Sequence, residues 1–353
     1  MSRFLQLHIL TSYPPANLNR DDLGRPKTAK MGGTDRLRVS SQCLKRNWRT
    51  SDLLQSALAG HVGTRTKMLG CTAYDKLLLS GIPEKKAKIY AADIAGQFGK
   101  LKKEEKDNAK AGLEIEQLVH VSASEKDSIN TLIEALIAEQ REPKEEELQL
   151  LRKENMSVDI ALFGRMLASK PAFNVEAACQ VAHAITVHPI TIEDDYFIAM
   201  DDLNDGSEDA GASHIGEAGF AAGLFYSYIC INKELLIDNL NGNKELAFKA
   251  IQALTEAAVK VAPTGKQNSF GSRAYASYVL AERGDQQPRS LSVAFLKPVN
   301  KQADDYGLEA VTALEQQYKN FNEVYGDCSD AQCCLNAVTG EGKLTELLTF
   351  VSE

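Results

Sequence analysis

The chain has 353 residues and a mass of 38.6 kDa, with 44% hydrophobic and 25% charged residues, which is an ordinary globular composition. This composition excludes disordered and collagen-like proteins and provides enough sequence for about two domains. No uncharged run is long and apolar enough for a membrane span, and the first residues lack a secretory signal. Seven cysteines without framework spacing are typical of reduced thiols. We therefore expect a cytoplasmic protein with no membrane partner.

The net charge of −8 conceals an uneven distribution of charge. Residues 17–49 carry nine basic and three acidic side chains, whereas residues 193–217 carry nine acidic side chains and neither Lys nor Arg. A basic segment on an otherwise nearly neutral chain indicates a nucleic-acid surface that the overall pI hides. Two solvated loops would produce the same charge runs, so this alternative stays open at this stage.

Alternating apolar residues predict an opening strand at 4–10, and a long irregular segment follows from residue 11 to about residue 36. Ser40 or Ser41 is then expected to cap a helix that continues through Trp48. Residues 63–155 are charged and helical in character. The helices predicted within this stretch are 101–106, 129–139 and 143–153.

The second half of the chain has mixed helix and strand signals at 158–186 and an acidic, glycine-rich excursion at 193–216. The elements predicted after the excursion are a strand at 220–232, a helix at 244–261, a turn-rich loop at 263–272, a strand at 290–296 and helices from about residue 304. This order predicts an α+β core with two inserted elements.

The helix after Ser41 has the sharpest local pattern. Its basic stripe recurs at spacings of three, four and seven residues, while Leu44 and Trp48 lie on another face. No acidic residue within the helix neutralises the stripe, so it offers phosphates both positive charge and backbone donors. A solvated basic face is the alternative. The stripe consists of Gln42, Lys45, Arg46 and Arg49.

The loop at 263–271 contains Gly265-Lys266, as a Walker A loop does. However, Lys260 stands where the first glycine belongs and Gln267 where Ser or Thr belongs, which excludes a nucleotide-binding P-loop. One lysine, several amides and a phenylalanine suit contact with a sugar–phosphate backbone. A plain surface turn would have the same composition.

Histidines and carboxylates between residues 183 and 214 raise the possibility of a metal-dependent nuclease, which is the alternative function. Its metal ligands would be His183, His188, Asp194 and Asp195. The five-residue spacing of the two histidines does not place both on one helix face, and Pro189 breaks the element directly afterwards. Cys328, Cys333 and Cys334 lack zinc spacing. We therefore expect neither a bound metal nor a cofactor, and the metal-dependent nuclease stays as the alternative.

A set of motifs in fixed order runs along nearly the whole chain. The first are Asn19-Arg20-Asp21-Asp22 and Gly32-Gly33-x-x-Arg36-x-Arg38-Val39-Ser40-Ser41-Gln42-x-Leu44-Lys45-Arg46-x-x-Arg49. The later ones are Val158-Asp159-Ile160-Ala161-Leu162-x-Gly164-Arg165-Met166, His183-Ala184-Ile185-Thr186-x-His188, Asp201-Asp202-Leu203, Ser213-His214-x-Gly216, Tyr226-x-Tyr228-x-x-Ile231-Asn232 and Gly265-Lys266-Gln267. In these motifs the chain resembles the CasC family, the repeated backbone subunit of the type I-E CRISPR surveillance complex called Cascade.

The resemblance implies an RRM-like (ferredoxin-like) palm at 1–62 and 156–353, a helical fingers insertion at 63–155 and a β-hairpin thumb at 189–222. It also implies a non-catalytic scaffold that binds guide RNA (crRNA), oligomerises along it and presents its bases to target DNA in antiviral defence. The implied partners are crRNA, target DNA, further copies of the chain, other Cascade subunits and, through them, the effector nuclease. A scaffold that accepts any guide must contact phosphate and ribose rather than base edges.

The resemblance also implies which residues contact the guide RNA, namely those at positions that match the family's guide contacts. The implied backbone contacts are Arg20, Lys27, Ser40, Gln42, Lys45 and Arg49. Met166 is expected to pack against a base or ribose, with an ordinary core position as the alternative. Arg46, Lys266 and Gln267 are added as RNA-binding candidates from the stripe and the loop. Asp201, Asp202 and Leu203 of the thumb are expected to contact a neighbouring subunit.

Overall fold

The computed structural model describes residues 2–105, 108, 110–199, 214–300 and 302–353. The chain divides into two units. Unit 1 comprises Met1–Leu54, Gln180–Ile231 and Ile251–Glu353, and unit 2 comprises Gln55–Cys179 and Asn232–Ala250. The boundaries expected for palm, fingers and thumb stay predictions.

Helices and strands alternate along the described ranges, which confirms the mixed α and β class. The strands are β1 (Phe4–Ala16), β2 (Thr28–Met31), β3 (Thr34–Val39), β4 (Thr64–Thr66), β5 (Val119–Val121), β6 (Cys179–Val181), β7 (Ala184–Thr186), β8 (Glu193–Ala199), β9 (His214–Asn232), β10 (Ala276–Gly284) and β11 (Ala331–Asn336). The α-helices are α1 (Ser41–Arg49), α2 (Asp52–Ala57), α3 (Leu69–Leu79), α4 (Glu84–Gly96), α5 (Ala123–Glu139), α6 (Val158–Phe163), α7 (Lys233–Asn239), α8 (Lys244–Lys260), α9 (Gln267–Phe270), α10 (Tyr306–Tyr325) and α11 (Leu344–Ser352). None of the helices in the described ranges has the length and apolar character needed to cross a membrane.

A large sheet forms the centre of unit 1, with the strand order β11-β10-β1-β9-β7-β3-β2 and with β6 and β8 also paired to β9. Strand β1 was expected to have one polar face, but Gln6 and His8 are 3% and 0% exposed. Burial of these polar groups is possible because they are hydrogen-bonded. His8 Nδ1 lies 2.9 Å from Tyr226 Oη, and His8 Nε2 lies 2.9 Å from Glu282 Oε2. Arg289 donates to both Glu282 oxygens at 2.5 and 2.9 Å.

The segment predicted to be irregular at 11–36 is partly strand, because β1 extends to Ala16 and β2 and β3 form an antiparallel pair. Strand β3 contains two arginines, Arg36 and Arg38, and it can join the sheet because the hydrogen bonds of Arg36 are satisfied within the fold. The Arg36 side chain is buried and donates to Thr186 O at 2.8 Å, Phe295 O at 2.9 Å and Thr34 Oγ1 at 2.9 Å. Burial lowers the pKa of Arg36. Arg36 is therefore a structural residue and contributes no surface charge to the basic segment.

The strand predicted at 290–296 is wrong, because Ser292–Phe295 is a 3-10 helix. The N–H groups that a strand would use are taken by side chains: Leu291 donates to Tyr226 Oη at 3.0 Å and Ser292 to Ser290 Oγ at 3.1 Å. The strand predicted at 220–232 and the helix predicted at 244–261 are confirmed by β9 and α8. The helices expected from about residue 304 are confirmed by α10, which begins at its Asp305 cap, and by α11. The loop predicted at 263–272 contains the short helix α9.

Unit 2 packs α3, α4 and α5 around an apolar core that includes Leu77, Ile94 and Leu136. The helix predicted at 129–139 is confirmed and begins earlier, because Ser122 and Glu125 form a capping box at the start of α5. The helices predicted at 101–106 and 143–153 are wrong for the described residues. In the second, Arg141 donates to both Glu147 oxygens at 2.7 and 2.6 Å, which holds a single turn instead of a helix.

Candidate nucleic-acid interface

Helix α1 carries the predicted basic stripe and is firmly anchored in unit 1. The Cys43 N–H donates to Ser40 Oγ at 3.3 Å, which confirms the predicted cap. Leu44 and Trp48 are 5% and 2% exposed, so the apolar face holds the helix in place. The stripe residues reach solvent to different degrees: Gln42 and Arg46 are exposed, and Lys45 and Arg49 are half-buried.

A closed loop at residues 17–27 lies against the start of this helix. The Lys27 N–H donates to Asn19 O at 2.8 Å, and the Ser40 N–H donates to Asn19 Oδ1 at 2.9 Å. Asn19 therefore ties Lys27 to the helix cap. Arg20, the residue after Asn19, is exposed. The two basic candidates of this loop thus stand next to the N-terminus of α1.

The loop with Lys266 and Gln267 joins the same surface. Asn47, on the buried side of α1, accepts hydrogen bonds from the Thr264 N–H at 3.1 Å and from Thr264 Oγ1 at 2.9 Å. A Cβ on Gly265 would lie 2.3 Å from Leu18 O and 2.8 Å from Asn17 O, so the loop backbone touches the 17–27 segment. Asn47 was not identified from the sequence as the residue that holds this loop. A polar side chain next to Trp48 on the buried face of α1 could have indicated such a role.

The structure therefore gathers nine predicted residues onto three touching segments of unit 1. They are Arg20, Lys27, Ser40, Gln42, Lys45, Arg46, Arg49, Lys266 and Gln267. Within the described ranges, Arg20, Lys27, Arg46 and Lys266 form no ion pair with a carboxylate.

Two further side chains of this surface are engaged within the fold. Burial raises the pKa of the Cys43 thiol against the opposing effects of Asn47, Lys27 and Arg46, so the thiol stays protonated at neutral pH. The Phe270 ring of the loop at 263–271 lies 5.8 Å, centroid to centroid, from the Phe220 ring. The surface thus offers cations, amides and hydroxyls rather than a reactive group.

Met166 belongs to unit 2 and is 84% exposed, which excludes the core alternative. Its neighbours are held tightly. Arg165 exchanges backbone hydrogen bonds with Val175 at 3.0 and 2.9 Å, and the Leu167 N–H donates to Asn174 Oδ1 at 2.6 Å. Met166 also lines a cavity of about 320 Å³. An exposed apolar side chain on a fixed backbone can present a packing surface to a ligand.

A buried ion pair secures the backbone of Met166. Arg165 Nη1 donates to the Glu125 oxygens at 2.7 and 2.9 Å, and the two side chains are 1% and 0% exposed. The same carboxylate accepts the Ser122 N–H at 2.8 Å and the Arg152 N–H at 3.0 Å. One carboxylate thus fixes the start of α5, residue 152 and the residue before Met166.

The alternative metal site is not assembled among the described residues. The guanidinium of Arg38 lies 3.0 Å from His183 Nδ1. His188 donates from Nδ1 to Pro189 O at 2.9 Å and accepts the Leu224 N–H at Nε2, 3.1 Å away. Asp194 pairs with Arg25 at 3.0 Å. No group of three or more His, Cys, Asp or Glu side chains could hold a metal ion in the part of the chain that is described.

Strands β8 and β9 pair antiparallel from Glu193 with Phe220 to Ala199 with His214. The β8 residues are exposed along the whole strand. Asp201, Asp202 and Leu203, predicted as subunit contacts, lie outside the described residues.

A family model described as "CT1975-like protein" matches residues 5–349. The chain belongs to the CT1975-like family. This CT1975-like chain superposes on a chain of the "CRISPR RNA-guided surveillance complex, pre-nicking" with a TM-score of 0.85 and 28% identity, covering 99% of both chains. A chain of a "CRISPR RNA-guided surveillance complex" shares the fold at a TM-score of 0.75 and 24% identity, again covering 99% of both. No curated protein matches.

Proposed function

We propose that the chain is a non-catalytic subunit of a CRISPR RNA-guided surveillance complex of the Cascade type, subtype I-E. It binds crRNA through the sugar–phosphate backbone, assembles with further copies of itself along that RNA and presents the bases to target DNA. Other Cascade subunits and, through them, the effector nuclease are its protein partners in the cytoplasm. In this role, residues 1–62 and 156–353 form an RRM-like palm, residues 63–155 the helical fingers and residues 189–222 the β-hairpin thumb.

One observation carries the proposal: three separate segments, one of them more than 200 residues further along the chain, meet to form a single cationic surface in unit 1. Residues 17–27, helix α1 and the loop at 263–271 are joined by Asn19 and Asn47. Residues matching the family's guide contacts occupy the first two segments, and the loop carries the additional candidates Lys266 and Gln267. The likeness to a chain of an RNA-guided surveillance complex at 28% identity supports the same role.

The chemistry of this surface suits binding to RNA of any nucleotide sequence. Lysine and arginine neutralise phosphates, and Ser, Gln and backbone N–H groups bond phosphate or ribose oxygens. Such contacts fix the position of the RNA and leave base edges free, so that base pairing reads the target. Met166, which belongs to unit 2, is a separate candidate for an apolar contact with a base or a ribose.

The acidic thumb is assigned to protein contact. Carboxylates repel nucleic acid and can dock on a neighbouring copy's basic surface. Head-to-tail contact of this kind generates an open helical assembly. Neutralising Asp201, Asp202, Asp205, Glu208 and Asp209 together should impair assembly, measured by native mass. Unchanged assembly would contradict this assignment.

Native mass spectrometry of the purified chain, co-expressed with repeat-spacer transcripts of increasing length, tests the proposed function. The expected particles contain RNA, with a 260/280 nm absorbance ratio well above that of protein, and grow by one subunit plus a constant RNA increment. The matched control is the same preparation without transcript. A monomer or closed dimer that stays free of RNA with every transcript would overturn the proposal.

A further inference from the structure

Arg38 and His183 form a pair at the margin of the cationic surface, and neither is among the guide contacts assigned above. Arg38 on β3 pairs in register with Ile185 on β7, which brings it beside residue 183. Arg38 Nη1 lies 3.0 Å from His183 Nδ1, and Arg38 Nε donates to Thr28 O at 3.4 Å. The geometry fixes the guanidinium from two sides and aims it at one nitrogen of the imidazole.

This contact determines where the imidazole carries its proton. A guanidinium can only donate, so His183 Nδ1 must be the acceptor, and the ring proton resides on Nε2. Burial, Arg38 and Lys27 all lower the pKa of His183, so the ring is neutral at pH 7. The residue is nevertheless exposed. His183 thus presents a neutral N–H donor with a fixed tautomer.

The pair is continuous with the proposed RNA surface. The Arg38 N–H donates to Lys27 O at 2.8 Å, and the Lys27 N–H donates to Asn19 O, also at 2.8 Å. Asn19 in turn holds the Ser40 N–H. Within the described ranges, His183 has no carboxylate at ion-pair distance. An anionic ligand is the partner that this arrangement of cations and one neutral donor would accept, whereas a metal cation would be repelled.

We propose that His183 Nε2–H donates a hydrogen bond to an oxygen of the RNA sugar–phosphate backbone, and that Arg38 is the positioning residue that sets its tautomer. The inference rests on the proposed function and extends the RNA surface to β3 and β7. It also gives His183 a role in RNA binding in place of the metal ligation considered from the sequence.

The test compares the affinity of His183→Ala and wild-type chains for two unrelated single-stranded RNAs at several salt concentrations. The expected loss is about 5- to 10-fold for both RNAs, as for one hydrogen bond of ordinary strength. The slope of log K against log salt should not change, because a neutral donor displaces no counterion. His183→Gln, which retains an amide N–H, should recover most of the affinity. His61→Ala, an exposed histidine of unit 2, is the matched control.

A double-mutant cycle tests the positioning role. In an Arg38→Met background the tautomer is no longer fixed, so the further loss from His183→Ala should fall below about 2-fold. Single-stranded DNA of the same sequence distinguishes the acceptors. An equal loss on DNA indicates a phosphate oxygen, and a loss confined to RNA indicates the ribose 2′-OH. Both results support the inference.

Two results separate this inference from the proposed function. If Lys45→Ala/Arg49→Ala weakens binding while His183→Ala matches wild type, the His183 contact is overturned and the scaffold role stands. If the wild-type chain binds no RNA, both are overturned. Additive effects of Arg38→Met and His183→Ala would refute the positioning role of Arg38.

Discussion

Replacing Arg165 with Met should sharply destabilise the chain, because it removes one charge of a fully buried pair. The guanidinium donates to both Glu125 oxygens and lies 3.3 to 3.4 Å from the carbonyls of His120, Arg152 and Phe173. With Glu125 0% exposed, its buried charge would keep only the two N–H donors from Ser122 and Arg152 and would have no counter-charge. Breaking such a pair from one side costs about 3–5 kcal/mol of unfolding free energy.

The companion variant Arg165→Met/Glu125→Gln should cost less than the two single changes combined. Without either charge no ion is left buried, and Gln retains one acceptor for the Ser122 and Arg152 N–H groups. The expected interaction energy is about 1–3 kcal/mol. In the Arg165→Met variant, Met166 should also lose its contact with RNA, because the hydrogen bonds that hold the backbone on either side of Met166 weaken.

Urea unfolding followed by far-UV circular dichroism measures these differences, and hydrogen exchange of residues 123–139 locates them. Lys170→Met, an exposed position near Met166, is the matched control and should change the unfolding free energy by less than about 0.5 kcal/mol. A cost below about 1 kcal/mol for Arg165→Met, or strict additivity of the two single changes, would refute the reasoning.

Three more predictions concern unit 1. Gly265→Ala should displace its loop, because the new Cβ would stand 2.3 Å from Leu18 O; RNA affinity should fall, and calorimetry should show a stability loss of about 1–3 kcal/mol. Asn47→Ala leaves the Thr264 donors without their acceptor, so limited proteolysis should cut the loop faster than in wild type. Burial raises the pKa of Glu282, but hydrogen bonds from His8 and Arg289 outweigh this and lower it to about 2. The stabilisation is therefore complete above pH 4.5 and is lost as the pH falls toward 2. Urea titrations should show about 3 kcal/mol of such loss, and a Glu282→Gln chain should lack it.

Local signals made helix α1 predictable. A Ser cap, a three-and-four spacing of cations and an apolar face with Trp48 all act within ten residues, and the structure confirms the helix and its cap. The strands around it were not predictable in the same way. Arg36 enters β3 because carbonyls 150 and 259 residues away accept its N–H groups. No short sequence window contains that information.

The site shows the same division between local and distant causes. Basic residues could be assigned from motifs, whereas the convergence of their segments depends on Asn19, which is bonded to Ser40, 21 residues away, and on Asn47, which is bonded to Thr264, 217 residues away. The histidines show both kinds of cause. Sequence placed His183 and His188 in one candidate metal site, but His188 is oriented by the adjacent Pro189, and His183 by Arg38, which is 145 residues away in the chain.

The salt dependence of RNA binding tests the central claim most directly. Wild-type and Lys45→Ala/Arg49→Ala chains would be titrated with two single-stranded RNAs of unrelated sequence from low to high salt. The account predicts equal wild-type affinities for both RNAs, and a double variant whose slope is reduced by about 1.4 on each, or about 0.7 per lost phosphate contact. An affinity loss confined to one sequence, or an unchanged slope, would contradict a surface that binds the RNA backbone without reading its bases.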